Sequence, residues 1–319
     1  MGDDEPHAGS ERGAAKIGLV MRRLSAMMIL SLLMCLAVHL CASADSVRSE
    51  MLVSTDWLAQ HLNDPKLVVL CVAANPDFYS RGHIPGARLI SLGDLVTTRD
   101  GIPNELPPVE KLQEAFANAG VKNNTRIVLY SERQGLFAAR AYFTLDYLRL
   151  ADRAALLDGG IEKWRAEKRP ESTDVPKITA QPLKIQVRPE VLVNAQAVEK
   201  ALNQRALIDA RPRDEFTGEK LSEDVSQAGH IPGASSLYWM NNLVSKENPV
   251  LLPPDELRKL YAQAGAKRSA VITYCRTGMQ SSFDYFVAKY LGYRVSMYDG
   301  SFFEWSRYGL PAEKSERNH

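Results

Sequence analysis

VITYCRTGMQSSFDYFVAKYLGY, residues 271–293, carries three patterns in succession. A run of β-forming residues, Ala270 to Tyr274, stops at a cysteine. A short polar loop follows, Cys275-Arg276-Thr277-Gly278-Met279-Gln280. From about Ser281 the apolar residues Phe283, Phe286, Val287, Tyr290 and Leu291 fall at i, i+3, i+4, i+7 and i+8, one face of a helix. Gly292 then stands where a helix ends in a left-handed residue. The stretch predicts strand, loop and helix. It decides little about chemistry alone, because a cysteine in such a place is as readily a small buried core residue.

The same succession occurs earlier, in RIVLYSERQGLFAARAYFTLDYLRL, residues 126–150, where Tyr130 matches Tyr274. RGHIPGARLISL around His83 returns as AGHIPGASSLYW around His230, and DGGIEKW from Asp158 returns as DGSFFEW from Asp299. Three markers in one order at a nearly constant offset mean a duplicated domain, with a period far too long for a solenoid. Within each copy, short apolar runs (Leu67–Cys71, Arg126–Tyr130, Ala206–Asp209, Ala270–Tyr274) read as strands buried on both faces. Pro107–Ala119 and Pro253–Ala264 read as helices, opened by proline and closed by glycine. The alternation predicts an α/β fold: two tandem domains, 50–170 and 191–312, each a parallel sheet flanked by helices on both faces. Between them ESTDVPKITAQPLKIQVRPE, Glu171 to Glu190, holds three prolines and reads as an extended linker.

An apolar share of 45% with 24% charged residues is that of a soluble globular chain. A net charge of +1 argues against a broad nucleic-acid surface. No zinc-type cysteine pair or histidine cluster occurs, so no metal is expected. Residues 1–44 read as an N-terminal extension and a secretory signal: Arg22 and Arg23, an apolar run, then Ala42-Ser43-Ala44. Its cleavage implies export across the inner membrane to the periplasm and no stable membrane association; an uncleaved anchor is the alternative. Cys35 and Cys41 leave with that segment. Cys71 and Cys275 remain, and a bridge between two such distant thiols is not expected.

In open α/β sheets, functional sites collect at the carboxyl ends of strands, the place Cys275 occupies. The first amides of the following helix lack internal partners, and a loop curled over the cysteine would aim them at sulfur. Both effects favour a nucleophilic thiolate. Gly278 would supply the turn. In the first copy Ser131 stands in the place of Cys275, followed by Glu132-Arg133-Gln134-Gly135-Leu136. A cysteine needed only for packing has little reason to differ in this way.

Two copies each bearing GHIPGA, a strand–cysteine–loop–helix in the second alone, and the DGG/DGS endings resemble the two-domain rhodaneses, the thiosulfate and 3-mercaptopyruvate sulfurtransferases, over nearly all of residues 50–312. The resemblance implies tandem rhodanese-like domains, an inert N-terminal copy that walls the site, and no cofactor. It implies a persulfide cycle. The Cys275 thiolate attacks the outer sulfur of a small anionic donor, sulfite or pyruvate leaves, and the sulfur passes to cyanide or another thiophilic acceptor. Carried onto this chain, Arg276 and Thr277 meet substrate, and Gly278, Met279 and Gln280 complete the cradle. In LIDARPRDEF, Asp209 and Arg211 match an Asp-x-Arg whose arginine binds the donor's oxyanion, which a guanidinium can fork. A salt bridge from Arg211 to Asp214 or Glu215 is the alternative. His83, His230, Trp164 and Trp305 occur in both copies and read as structural. Tyr238 and Trp239 could line the pocket or pack in the core.

The loop departs from both kinds of relative. Thiosulfate users commonly show Cys-Arg-Lys-Gly, and mercaptopyruvate users Cys-Gly-Ser-Gly. Here Arg276 retains the charge of the first and Thr277 the hydroxyl of the second, which favours thiosulfate. A cysteine phosphatase would need an arginine at Ser281, and a thiol redox protein a nearby resolving cysteine. A sulfur-carrier or binding module without catalysis remains an alternative. With two halves facing each other inside one chain, a monomer suffices.

Overall fold

Parallel pairing of short, almost wholly apolar strands builds each half. The computed structural model describes residues 47–202, 204–266 and 270–315; the proposed signal segment lies outside them. In the first half, β1 (Leu52–Val53), β2 (Leu67–Ala73) and β3 (Arg88–Ser91) precede a small antiparallel hairpin, β4 (Thr97–Arg99) and β5 (Ile102–Glu105). Strands β6 (Arg126–Ser131) and β7 (Ala154–Leu157) complete a parallel sheet of order β1-β7-β6-β2-β3. The second half repeats it with β8 (Leu192–Val193), β9 (Ala206–Asp209), β10 (Ser235–Ser236), β11 (Val271–Tyr274) and β12 (Val295–Tyr298), in the order β10-β9-β11-β12-β8. Matching strand to strand, the two orders are the same.

Side chains on a strand alternate between its faces. In β2, Val68, Leu70 and Val72 enter one core, while Leu67, Val69, Cys71 and Ala73 enter another. In β6, Ile127 and Leu129 join the first core, and Val128 and Tyr130 the second. The first core is shared: it also takes Ile208 and Val271 from the second sheet, whereas Leu207, Ile272 and Tyr274 fill a separate outer core. Each sheet thus has an outer core of its own and an inner core in common with its counterpart.

Two helices fill that common layer, Leu136–Tyr147 and Met279–Tyr290, each following the strand that ends at Ser131 or Tyr274. They pack on one another through edge-to-face rings, Tyr142 on Phe286 at 4.9 Å and Phe143 on Tyr285 at 5.0 Å. The sequence periodicity predicts a single apolar face for the second helix, yet every residue from Ser281 to Tyr290 is buried. Its polar side chains are covered too: Asp284 accepts from Asn242 Nδ2 within its own half, and others meet polar groups of the first half. Tyr285 Oη donates to Asp146 Oδ2 at 2.5 Å, and Lys289 pairs with the same carboxylate. Arg188, from the end of the linker, donates to Asp146 Oδ1 at 2.7 Å. The linker therefore does not swing freely. Leu183 is buried, and the Lys184 N–H and C=O are both met by the Asn123 side chain.

Candidate functional site

Strand β11 delivers Cys275 to the carboxyl end of the second sheet. The residue is 1% exposed, yet it lines a cavity of about 580 Å³ with walls from both halves. Arg276, Thr277, Met279, Gln280, Tyr238, Trp239 and Lys246 come from the second half; Asn104, Arg133, Gln134 and Phe137 are among those from the first. Trp239 serves both of the roles left open for it, since it is buried against Phe283 at 5.2 Å and also faces the cavity.

The helix begins at Met279, two residues earlier than its apolar periodicity predicts, so Met279 and Gln280 form its first turn rather than the loop. The loop proper is Cys275 to Gly278. Its carbonyls are tied to the short helix Ser301–Arg307: Phe302 N–H donates to Cys275 O and Phe303 N–H to Arg276 O, both at 2.9 Å. In a planar trans peptide the N–H points opposite to the C=O. The amides of Arg276 and Thr277 are therefore turned away from that helix. No side chain caps the Met279–Tyr290 helix, so its first amides are open as well.

Ser301 pins the loop from beneath. Its Oγ accepts from Cys275 N–H and Gly278 N–H, each at 3.1 Å, and donates to Tyr298 O at 2.7 Å. Ser301 holds φ at 55°, a left-handed conformation costly for a residue with a Cβ. Gly160, its match in the first half, has φ 57°. The backbone shape is common to both halves, and only the one with Cys275 places a hydroxyl there. Gly278, at φ 80°, is required for two reasons: a side chain would be strained, and its Cβ would collide with Asp299 Oδ1 and lie 2.8 Å from Asp299 O.

The first half shows the same turn closed. Its loop is one residue longer, since Gly135 stands four residues after Ser131 whereas Gly278 stands three after Cys275. Ser131 Oγ accepts from Ala138 N–H at 3.1 Å, and Glu162 Oε1 accepts from Gln134 N–H at 3.0 Å. A hydroxyl and a carboxylate of the protein thus take up amides of this turn.

Arg211 does not reach the cavity. Its guanidinium is buried and committed to Asp209, with Nη2 2.6 Å from Oδ2 and Nε 3.0 Å from Oδ1, while Nη2 also donates to Gly229 O at 2.8 Å. It lies 4.1 Å over the Phe302 ring. The expectation that it forks the donor fails because Asp209, two residues before it, satisfies it first; neither Asp214 nor Glu215 is its partner. Thr277 faces the cavity and accepts at Oγ1 from Asn104 Nδ2 at 2.9 Å. Arg276 is half-exposed, 3.6 Å from Asp224. Two cations of the cavity, Arg133 and Lys246, carry no signal that one sequence shows, because fold alone brings their loops there.

The paired motifs behave as structure. His83 Nδ1 and Nε2 bond to Tyr79 O and Asp174 O, and His230 Nδ1 bonds to Phe216 O; each ring stacks on the aromatic side chain of that Tyr or Phe at 3.8 Å. Trp164 and Trp305 are buried and donate from Nε1 to Pro170 O and Pro311 O. Cys71 and Cys275 are both free thiols, and burial in the first outer core pushes Cys71 up to about 12. Among the described residues no His/Cys/Asp/Glu group is arranged to hold a metal, and no helix is long and apolar enough to cross a membrane.

Comparison with known proteins agrees with this architecture. The sequence model of the rhodanese-like domain matches twice, at residues 54–167 and 194–308. The sulfur carrier protein TtuD of Thermus thermophilus is 34% identical over 84% of this chain and 98% of its own length. A Mycobacterium bovis protein, named provisionally as thiosulfate sulfurtransferase 1, is 35% identical over 82% of this chain and 95% of its own. Among solved structures, the anaerobic ergothioneine biosynthesis enzyme from Chlorobium limicola, in complex with trimethyl histidine, superposes with a TM-score of 0.75 at 25% identity, over 84% of this chain and 71% of that one. The duplicated sheet, the single cysteine-bearing turn and these matches together place the chain in the rhodanese-like sulfurtransferase family, with two domains of that kind in tandem.

Proposed function

We propose that the protein moves a sulfane sulfur from thiosulfate to a thiophilic acceptor, such as cyanide, through a persulfide on Cys275. The Cys275 thiolate attacks the outer sulfur of thiosulfate, the S–S bond of the donor breaks, and sulfite leaves with the bonding pair. The acceptor then takes the outer sulfur and the thiolate is restored. The observation that carries this reading is the position of Cys275 in a cavity whose wall includes Arg276, Arg133 and Lys246. Three cations suit a dianion better than the single carboxylate of 3-mercaptopyruvate, the second donor to be tested. Open amides at a helix start, one of which in the first half (Ala138 N–H) is taken by Ser131 Oγ, suit the charge of the thiolate and its persulfide. The sulfur-carrier name of one relative supports a second reading, in which the persulfide is handed to a protein acceptor rather than to a small one. Residues 1–44 support release of the mature chain into the periplasm.

Incubation of the purified protein with thiosulfate should add one sulfur atom to the Cys275 peptide by mass, and C275S should take none. No added mass with thiosulfate or with 3-mercaptopyruvate would end the enzymatic reading. Arg133→Gln and Lys246→Gln should each raise the KM for thiosulfate several-fold, the two effects combining as both charges go. Periplasmic and cytoplasmic fractions of cells expressing the full chain would test its destination.

A further inference from the structure

We propose that Arg140, a residue of the half that lacks Cys275, is a positioning residue for Cys275: by holding Asp299 and Asn104 it shapes the cysteine loop from beneath and from the side. The inference rests on Cys275 being the reactive group of the site.

Arg140 is fully buried in the Leu136–Tyr147 helix and does not line the cavity. Its Nη1 donates to Asp299 Oδ1 at 2.5 Å, and its Nη2 to Asp299 Oδ2 at 3.1 Å and Asn104 O at 2.6 Å. Both of its partners bear on the loop. Asp299 lies against Gly278 and precedes by two residues Ser301, whose hydroxyl holds the Cys275 and Gly278 amides. Asn104 donates its side-chain amide to Thr277 Oγ1. One guanidinium thereby sets both sides of the turn that carries the sulfur.

The duplication supplies the comparison that separates positioning from mere joining of the halves. Asp299 accepts Leu106 N–H at 2.9 Å, and its match Asp158 accepts Leu251 N–H at 3.0 Å, so each half reaches to the aspartate of the other. Phe283 is the fifth residue of its helix, as Arg140 is of its own, so a ring stands at the helix position that bears the cation in the first half, and among the described residues Asp158 has no ion pair like that of Asp299. Burial accordingly pushes the Asp158 carboxyl up. A buried ion pair seldom adds net stability over well-packed apolar groups. Here the pair stands only beneath the loop that bears a thiol.

The test is alkylation of Cys275 by iodoacetamide at pH 7 in the full chain, followed on the Cys275 peptide by mass, for wild type, R140K, R140M and N104A. This readout needs no sulfur donor. R140M should slow alkylation about tenfold or more, with R140K recovering part of the rate and N104A falling between R140K and wild type. In single-turnover loading from thiosulfate the rate should fall in parallel, while the fraction of chains loaded and the donor KM stay near wild type. Loss confined to the loaded fraction would mean a merely structural role and would overturn the proposal, as would wild-type alkylation in folded R140M and R140K. Should R140M fail to fold by circular dichroism, R140K decides: a wild-type rate overturns the inference, and a slower rate with an unchanged loaded fraction supports it. Wild-type protein that alkylates readily and loads no sulfur would refute the sulfurtransferase reading and leave this one standing.

Discussion

Two cysteines of one chain show how much a single position decides. Cys71 lies within a strand, its side chain turned to the first outer core, and burial pushes its thiol up to about 12. Cys275 comes one residue after a strand and meets a cavity. Iodoacetamide at pH 8 should therefore label Cys275 in the folded protein and leave Cys71 unmodified until denaturant is added; equal labelling would contradict the structure. The candidate cysteine is legible in the sequence because the duplicate shows the same fold with a serine in its place. The glycine-to-serine change from Gly160 to Ser301 was equally visible, but its meaning was not, since nothing in DGGIEKW and DGSFFEW says that the hydroxyl reaches back to residues 275 and 278. Arg211 shows the reverse: an Asp-x-Arg spacing fits a substrate clamp and an internal pair alike, and only coordinates separate them.

At the scale of elements, strand and helix existence followed from apolar runs and periodicity, whereas the neighbours of each element did not. The Met279–Tyr290 helix is buried nearly all round because the equivalent helix of the other half packs on it, a contact no local pattern encodes. Phe286→Ala should cost about 3–5 kcal/mol in urea unfolding, the penalty for emptying a fully packed aromatic site. The β4–β5 hairpin places Glu105 beside the buried Asp299. Burial first, and then the charge of Asp299, raise the Glu105 carboxyl to about 7. The folded state thus binds its proton more tightly than the unfolded chain, where a glutamate titrates near about 4.3. That contribution to stability is complete below the unfolded value and is lost as pH rises through about 7. The Tm of E105Q minus that of wild type should therefore grow from pH 5 to pH 8, and a constant difference would show that Glu105 does not titrate in this range.

For the whole molecule, tandem duplication and parallel sheets were readable from repeated markers, but the common inner core was not, because it forms between segments far apart in sequence. Val68, Leu70 and Val72 of one sheet and Ile208 and Val271 of the other enter the same apolar cluster. Residues 191–315 expressed alone should accordingly be aggregation-prone and bind a hydrophobic dye strongly, and co-expression with residues 47–190 should restore solubility; a well-folded isolated fragment would refute this. The consequence reaches into descent. A gene doubled in this way cannot readily discard its first copy, since the second would lose the surface on which its Met279–Tyr290 helix rests. Drift in the first copy should then be slowest along residues 136–147, a segment held in place by its packing on the helix that follows Cys275.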